Sequence, residues 1–138
     1  MKLRIKGNSL RLRVSRSDTT RLMQTGRIEE TILLGAEDDA KLTYALEHSA
    51  TTTELSVRYL PLEVTVMLST EEARRWSDSD QVGCYRNIAI RGKILAVLVE
   101  KDFVCLDGSD ADNEDAFENP NTGSHAERTQ RSRRRPWV

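Results

Sequence analysis

Five cations, Lys2, Arg4, Lys6, Arg11 and Arg13, alternate with apolar residues near the start of the chain. Alternation at period two gathers them on one face of a strand pair. A row of guanidinium and ammonium groups on a rigid sheet suits anions, because such groups make charge-assisted and partly bidentate bonds to phosphate or carboxylate oxygens. Like charges directly opposite also repel, by roughly a few tenths of a kcal/mol per pair. Water, acids on a neighbouring strand such as Glu29, Glu30 or Glu100, or an anionic ligand would offset that repulsion. Phosphate clamps become hydrolytic machinery only if acids point into the same cavity, and Glu29, Glu30, Glu63 and Glu100 are the candidates.

Other chemistry-bearing residues give weaker patterns. Asp110, Asp112 and Glu114 alternate as in a calcium loop. Asp115 stands where the turn-making glycine belongs and Asn121 where the bidentate glutamate belongs, which leaves a solvated acidic linker as the expectation. Cys84 and Cys105 lack CxxC spacing, so two reduced thiols are expected. Cys84 as a nucleophile would need a base such as His48 beside it. His48 and His125 have no metal-ligand spacing, and no HExxH, glycine-rich phosphate loop or GxSxG elbow occurs. No catalytic residue, metal site or cofactor is read from the chain. The expected function is a non-enzymatic binding or interaction module whose partner is a phosphate-rich small anion. A phosphohydrolase and a structural partner protein are the alternatives.

A basic row of this kind must sit on a hairpin. Met1, Leu3, Ile5, Leu10, Leu12 and Val14 form its apolar face, and Gly7-Asn8 supplies a two-residue loop that tolerates positive φ. Pairing Lys6 with Ser9 sets Ile5 opposite Leu10, Leu3 opposite Leu12, Arg4 opposite Arg11 and Lys2 opposite Arg13. Ser15-Arg16-Ser17-Asp18 has the form of a capping box and opens a short helix to about Thr25, with Gly26 as its left-handed stop. Ile28 to Leu34 and Lys41 to His48 read as strands around the turn-forming stretch Gly35 to Asp39. Glu54 to Tyr59 and Leu62 to Leu68 form the next pair, turning at Pro61, with Leu62, Val64, Val66 and Leu68 marking the buried face. Ser69-Thr70-Glu71-Glu72 repeats the capping box, and Trp76 is expected to pack this second helix on the sheet. Tyr85 to Ile90 and Lys93 to Lys101 close the body around Arg91-Gly92.

Laying Leu10 to Leu22 over Val64 to Trp76 gives the same order twice, matching Ser15 with Ser69, Asp18 with Glu72 and Arg21 with Arg75. Either a ββαββ unit is duplicated, or capping physics alone recruits serine and acid at both junctions. In both cases about eight strands and two short helices make an α+β domain with a mostly antiparallel sheet, and closure into a barrel is one way to hide its edges.

Composition sets the outer limits. A chain of 138 residues with a mean hydropathy of -0.56 suits one core, and the apolar run Ile94 to Val99 is too short to cross a bilayer. The first residues lack the zones of a signal peptide, so a cytoplasmic protein beginning at Met1 is expected. Residues 1–106 form the sheet-rich domain. Residues 107–138 form an acidic-then-basic tail, expected to be largely disordered, which takes seven acids and five arginines and leaves the body nearly neutral. Those arginines lack interleaved aromatics, so no nucleic-acid partner is expected.

Two resemblances add to these observations. The order of strands and helices is similar to the triphosphate tunnel, or CYTH-like, fold, which implies a wide barrel gripping polyphosphates. That family's signature is an alternating pair of glutamates followed by a lysine near the N-terminus, holding metal, where this chain has Lys2, Arg4 and Lys6. Separately, the stretch from Met1 to Arg13, Leu42 to Leu46, Val99 to Phe103 with Cys105 to Asp107, Asp112 to Asp115 and Phe117 to Asn121 resemble a family of small uncharacterised bacterial proteins. That resemblance covers most of residues 1–121 and implies a bacterial cytosolic protein without supplying an activity.

Overall fold

A computed structural model describes residues 1–103 and Phe117. The acidic and basic stretches of the tail lie outside the described residues. Eight strands and two helices follow in the order β1 (Lys2–Ile5), β2 (Ser9–Val14), α1 (Arg16–Thr25), β3 (Arg27–Leu33), β4 (Lys41–Ser49), β5 (Ser56–Leu60), β6 (Glu63–Ser69), α2 (Thr70–Ser77), β7 (Gly83–Ile90) and β8 (Lys93–Lys101).

Local signals account for each boundary. Gly7 takes φ +55 in the first turn. Ser15 caps α1 by accepting from the Asp18 amide, and Gly26 ends it at φ 86, its amide donating to the Leu22 carbonyl. Ser69 caps α2 through the Glu72 amide. One expectation fails at the β5–β6 turn. Leu62 lies in the turn at φ 68 and is exposed, so the buried face of β6 begins at Val64. Its carbonyl still accepts from the Thr43 amide at 2.8 Å, which extends the ladder onto β4.

The strands form two separate four-stranded sheets, β1-β2-β8-β7 (sheet A) and β3-β4-β6-β5 (sheet B), so the described residues make no closed barrel. Each sheet joins the first hairpin of one half to the last hairpin of the other. The join is a parallel pairing, β2 with β8 and β4 with β6, while every hairpin is antiparallel. Exchanging β1, β2, β3 and β4 for β5, β6, β7 and β8 turns one sheet order into the other, so the two halves share one connectivity.

Apolar faces of both sheets and both helices meet in a single core. Leu12, Val14, Val97, Val99 and Cys84 come from sheet A, Ile28, Leu46, Val66 and Leu68 from sheet B, and Leu22, Ala73 and Trp76 from the helices. Trp76 is fully buried and its indole donates to the Val82 carbonyl at 3.2 Å. Side chains at matched places tie the helices down. His48 on β4 reaches the Leu22 carbonyl at 3.1 Å, and Lys101 on β8 donates to the Ser79 carbonyl at 2.5 Å.

Barrel closure is replaced by two side-chain seams. At one, the Met1 ammonium meets Glu30 of β3 at 2.9 Å and Asp18 at 2.7 Å. At the other, Arg86 of β7 meets Glu54 at 2.6 Å and the Leu55 carbonyl at 2.7 Å. Edge strands of the two sheets therefore approach through ionic contacts without forming a backbone ladder between them.

Candidate functional site

The first hairpin has the register that its alternation implies, pairing Lys2 with Arg13, Leu3 with Leu12, Arg4 with Arg11 and Ile5 with Leu10. Parallel pairing then sets Arg13 beside Glu100 and Arg11 beside Leu98. The basic side chains occupy the face of sheet A opposite the core, so the cations point away from the apolar interior and, among the described residues, line no enclosed tunnel. Ile5 shares the core-side face but lies beyond the core, at 60% exposure.

Glu100 supplies the main offset to the repulsion. It is 2% exposed, and its Oε1 accepts from Arg11 Nε at 2.5 Å and from Arg13 Nε at 3.1 Å, with a further ion pair to the Arg11 guanidinium. Arg11 is 6% exposed, an unusual place for a guanidinium, and the buried carboxylate accounts for it. Lys2 reaches Asp102 at 3.2 Å from an exposed position. Arg4 and Lys6 are both exposed. Among the described residues Arg4 enters no ion pair, although it stands directly across from Arg11. Three cations are thus held by carboxylates on β8 or just after it, and Arg4 projects between them.

The other acids considered for a hydrolytic site gather elsewhere. Arg27 on sheet B meets Glu29 at 2.9 Å, Glu47 at 3.0 Å and Glu63 at 3.3 Å, and Arg58 meets Glu47 at 3.4 Å. Glu30 belongs to the Met1 seam. The basic hairpin is left with Glu100 and Asp102, so the acid set that phosphate hydrolysis would need beside the clamps is split between two sheets. Among the described residues no group of three or more His, Cys, Asp or Glu side chains could hold a metal ion.

Burial would raise the Glu47 carboxyl, but hydrogen bonds from Arg27 and Arg58 outweigh it and the group lies below its ordinary value. Burial also opposes the Met1 ammonium and the Asp18 carboxylate. Their mutual hydrogen bond and charge attraction outweigh it only together with Glu30 on the amine and with Arg21 and Ser15 on the acid, holding the amine above and the acid below their ordinary values. Cys84 is buried among apolar neighbours, and burial with the nearby Glu72 pushes its thiol up to about 12, which removes the thiolate a nucleophile requires. His48 is occupied by Thr70 and the Leu22 carbonyl.

Sequence inspection missed the Arg27-Glu47-Glu63-Arg58 cluster, because its members come from four strands. Sequence could not place Phe117 either. Its amide donates to the Asp102 carbonyl at 2.8 Å, its ring lies 6.3 Å from Phe103 at 64°, and Lys101 Nζ sits 5.2 Å from its centre.

Fold and site together define a two-sheet α+β protein with a basic, outward-facing hairpin. Residues 1–121 match the family of unknown function DUF7009, and the chain belongs to that family. No curated protein and no solved structure matches the chain.

Proposed function

We propose that this chain is a non-enzymatic binding module that takes a phosphate-rich small anion on the outer face of its first hairpin. The observation that carries it is Arg4, exposed and without an ion-pair partner among the described residues, opposite an Arg11 that Glu100 holds in place. Arg4 offers a multivalent anion its donors, while the buried Arg11 opposite it, already engaged by Glu100, adds positive charge without reaching the ligand. Lys2, Lys6 and Arg13 flank them and set the charge of the strip. No aromatic platform interleaves these cations, so a small anion fits the face better than a nucleic acid. No helix among the described residues is long and apolar enough to cross a membrane, and the family resemblance favours a cytoplasmic setting in bacteria.

Thermal unfolding with tripolyphosphate, against potassium chloride at equal ionic strength, tests the assignment. Ligand at 100 times its Kd should stabilise the fold by about 2.7 kcal/mol, and Arg4→Ala combined with Lys2→Ala should abolish that gain. If tripolyphosphate does no more than the salt control, the anion site is refuted.

A further inference from the structure

The free ends of the two sheets carry opposite charge on an apolar base. In sheet A the β7–β8 turn presents Arg91 and Lys93, with no acid between Ala89 and Ile94. In sheet B the β3–β4 loop presents Glu37, Asp38 and Asp39. All five side chains are exposed, and none enters an ion pair among the described residues. Arg91 sits at φ 52, a left-handed conformation that is costly for a residue with a Cβ, and Gly92 follows at φ 76.

Apolar side chains flank both charged tips. Leu33 and Leu34 are 76% and 66% exposed beside the acidic loop, and Ile90 and Ile94 are 44% and 54% exposed beside the basic turn. Exposed apolar residues beside charged ones are features of a protein interface. Apolar surface alone selects no partner, but the charges do. An acidic tip repels a second acidic tip, a basic tip repels a second basic tip, and each attracts the other. Strands β3 and β7 hold the same place in the two halves, so the chain presents both members of a complementary pair.

We propose that copies of this chain associate tip to tip, the Arg91 and Lys93 turn of one copy docking on the Glu37 to Asp39 loop of another, with Leu33, Leu34, Ile90 and Ile94 buried between them. The contact is heterologous: two different patches meet, and growth stops at a pair only where both tips of one copy reach the same partner. The basic tip borders the first hairpin, whose turn residue Asn8 donates to the Ile94 carbonyl at 2.9 Å, while the acidic tip belongs to the other sheet.

Light scattering across a concentration series at low salt tests it. The expected result is a mass rising above the 15.7 kDa of one chain and returning to it as salt is added. R91E/K93E is acidic at both tips and D38K/D39K is basic at both, so each alone should stay monomeric while an equimolar mixture associates. That rescue separates docking from misfolding, since a misfolded variant could not restore the contact. The proposal is overturned if the wild-type chain stays at the single-chain mass up to its solubility limit, if association ignores either charge reversal, or if the mixture of two folded variants remains monomeric.

Discussion

Glu100 on sheet A and Glu47 on sheet B hold the same place in the two halves. Arg13 pairs with Glu100 in the β2–β8 register, Met67 pairs with Glu47 in the β6–β4 register, and Arg13 overlays Met67 in the sequence repeat. Their surroundings differ. Both arginines on Glu100 come from the neighbouring strand β2, and the acid side chain is 3% exposed. Glu47 is 22% exposed and shares Arg27 of β3 and Arg58 of β5 with Glu63. Sheet B therefore distributes its charge over a network that closes on itself. Sheet A commits one buried acid to two cations and leaves Arg4 unmatched among the described residues. One connectivity accommodates both arrangements because the outer face of each sheet lies away from the shared core, where side-chain identity is free to vary.

The largest expected effect comes from Glu100→Gln. It leaves Arg11 buried beside a neutral amide, and removing one partner of a buried pair costs about 3–5 kcal/mol, read as a lower urea midpoint at unchanged m-value. Equal losses in Glu100→Gln and Glu47→Gln would break the comparison between the sheets.

Next comes the Met1–Asp18 seam, for a chain with a free Met1 amine. The amine is raised above its ordinary 8.0, so its contribution is complete below that pH and fades as pH climbs through the folded value. Asp18 is lowered below 3.8, so its share is complete above that pH and fades as pH falls through the folded value. Stability should plateau between these limits, and Asp18→Asn should flatten both flanks with a loss of about 1–2 kcal/mol on the plateau. Flanks that persist unchanged in Asp18→Asn would show that the seam contributes nothing to the pH profile.

Glu47→Gln should cost about 1 kcal/mol, since Glu63 and Glu29 remain to serve Arg27 and the cluster is partly solvated. A loss as large as that of Glu100→Gln would show that the network does not share its load. Smallest is Arg4→Ala, which should shift stability by no more than about 0.5 kcal/mol, in either direction, because the side chain is exposed. A stabilisation well beyond that range would mean that like-charge repulsion across the hairpin is a real cost. A loss well beyond it would mean that Arg4 has a structural partner.

Much of this architecture is legible in the chain, and the reason is local. Alternation from Met1 to Val14 and the glycine at position 7 dictate the hairpin and its register, since a slip of one residue would turn Leu12 and Val14 outward. Ser15 and Ser69 mark both helix starts because amide groups at a helix N-terminus need acceptors within three residues. The repeated order of elements follows from those same short-range signals.

Long-range choices belong to tertiary structure. That hairpins of opposite halves share a sheet, that β2 and β8 run parallel and that two ionic seams stand in place of barrel closure all depend on contacts far apart in sequence. Glu100 illustrates this most clearly. Its residue type and its place near the end of the last strand name it as one of several acids available to the basic hairpin. Only pairing across the sheet puts it beneath Arg11 and Arg13, because burial of a charge is settled by what the completed fold lays over it.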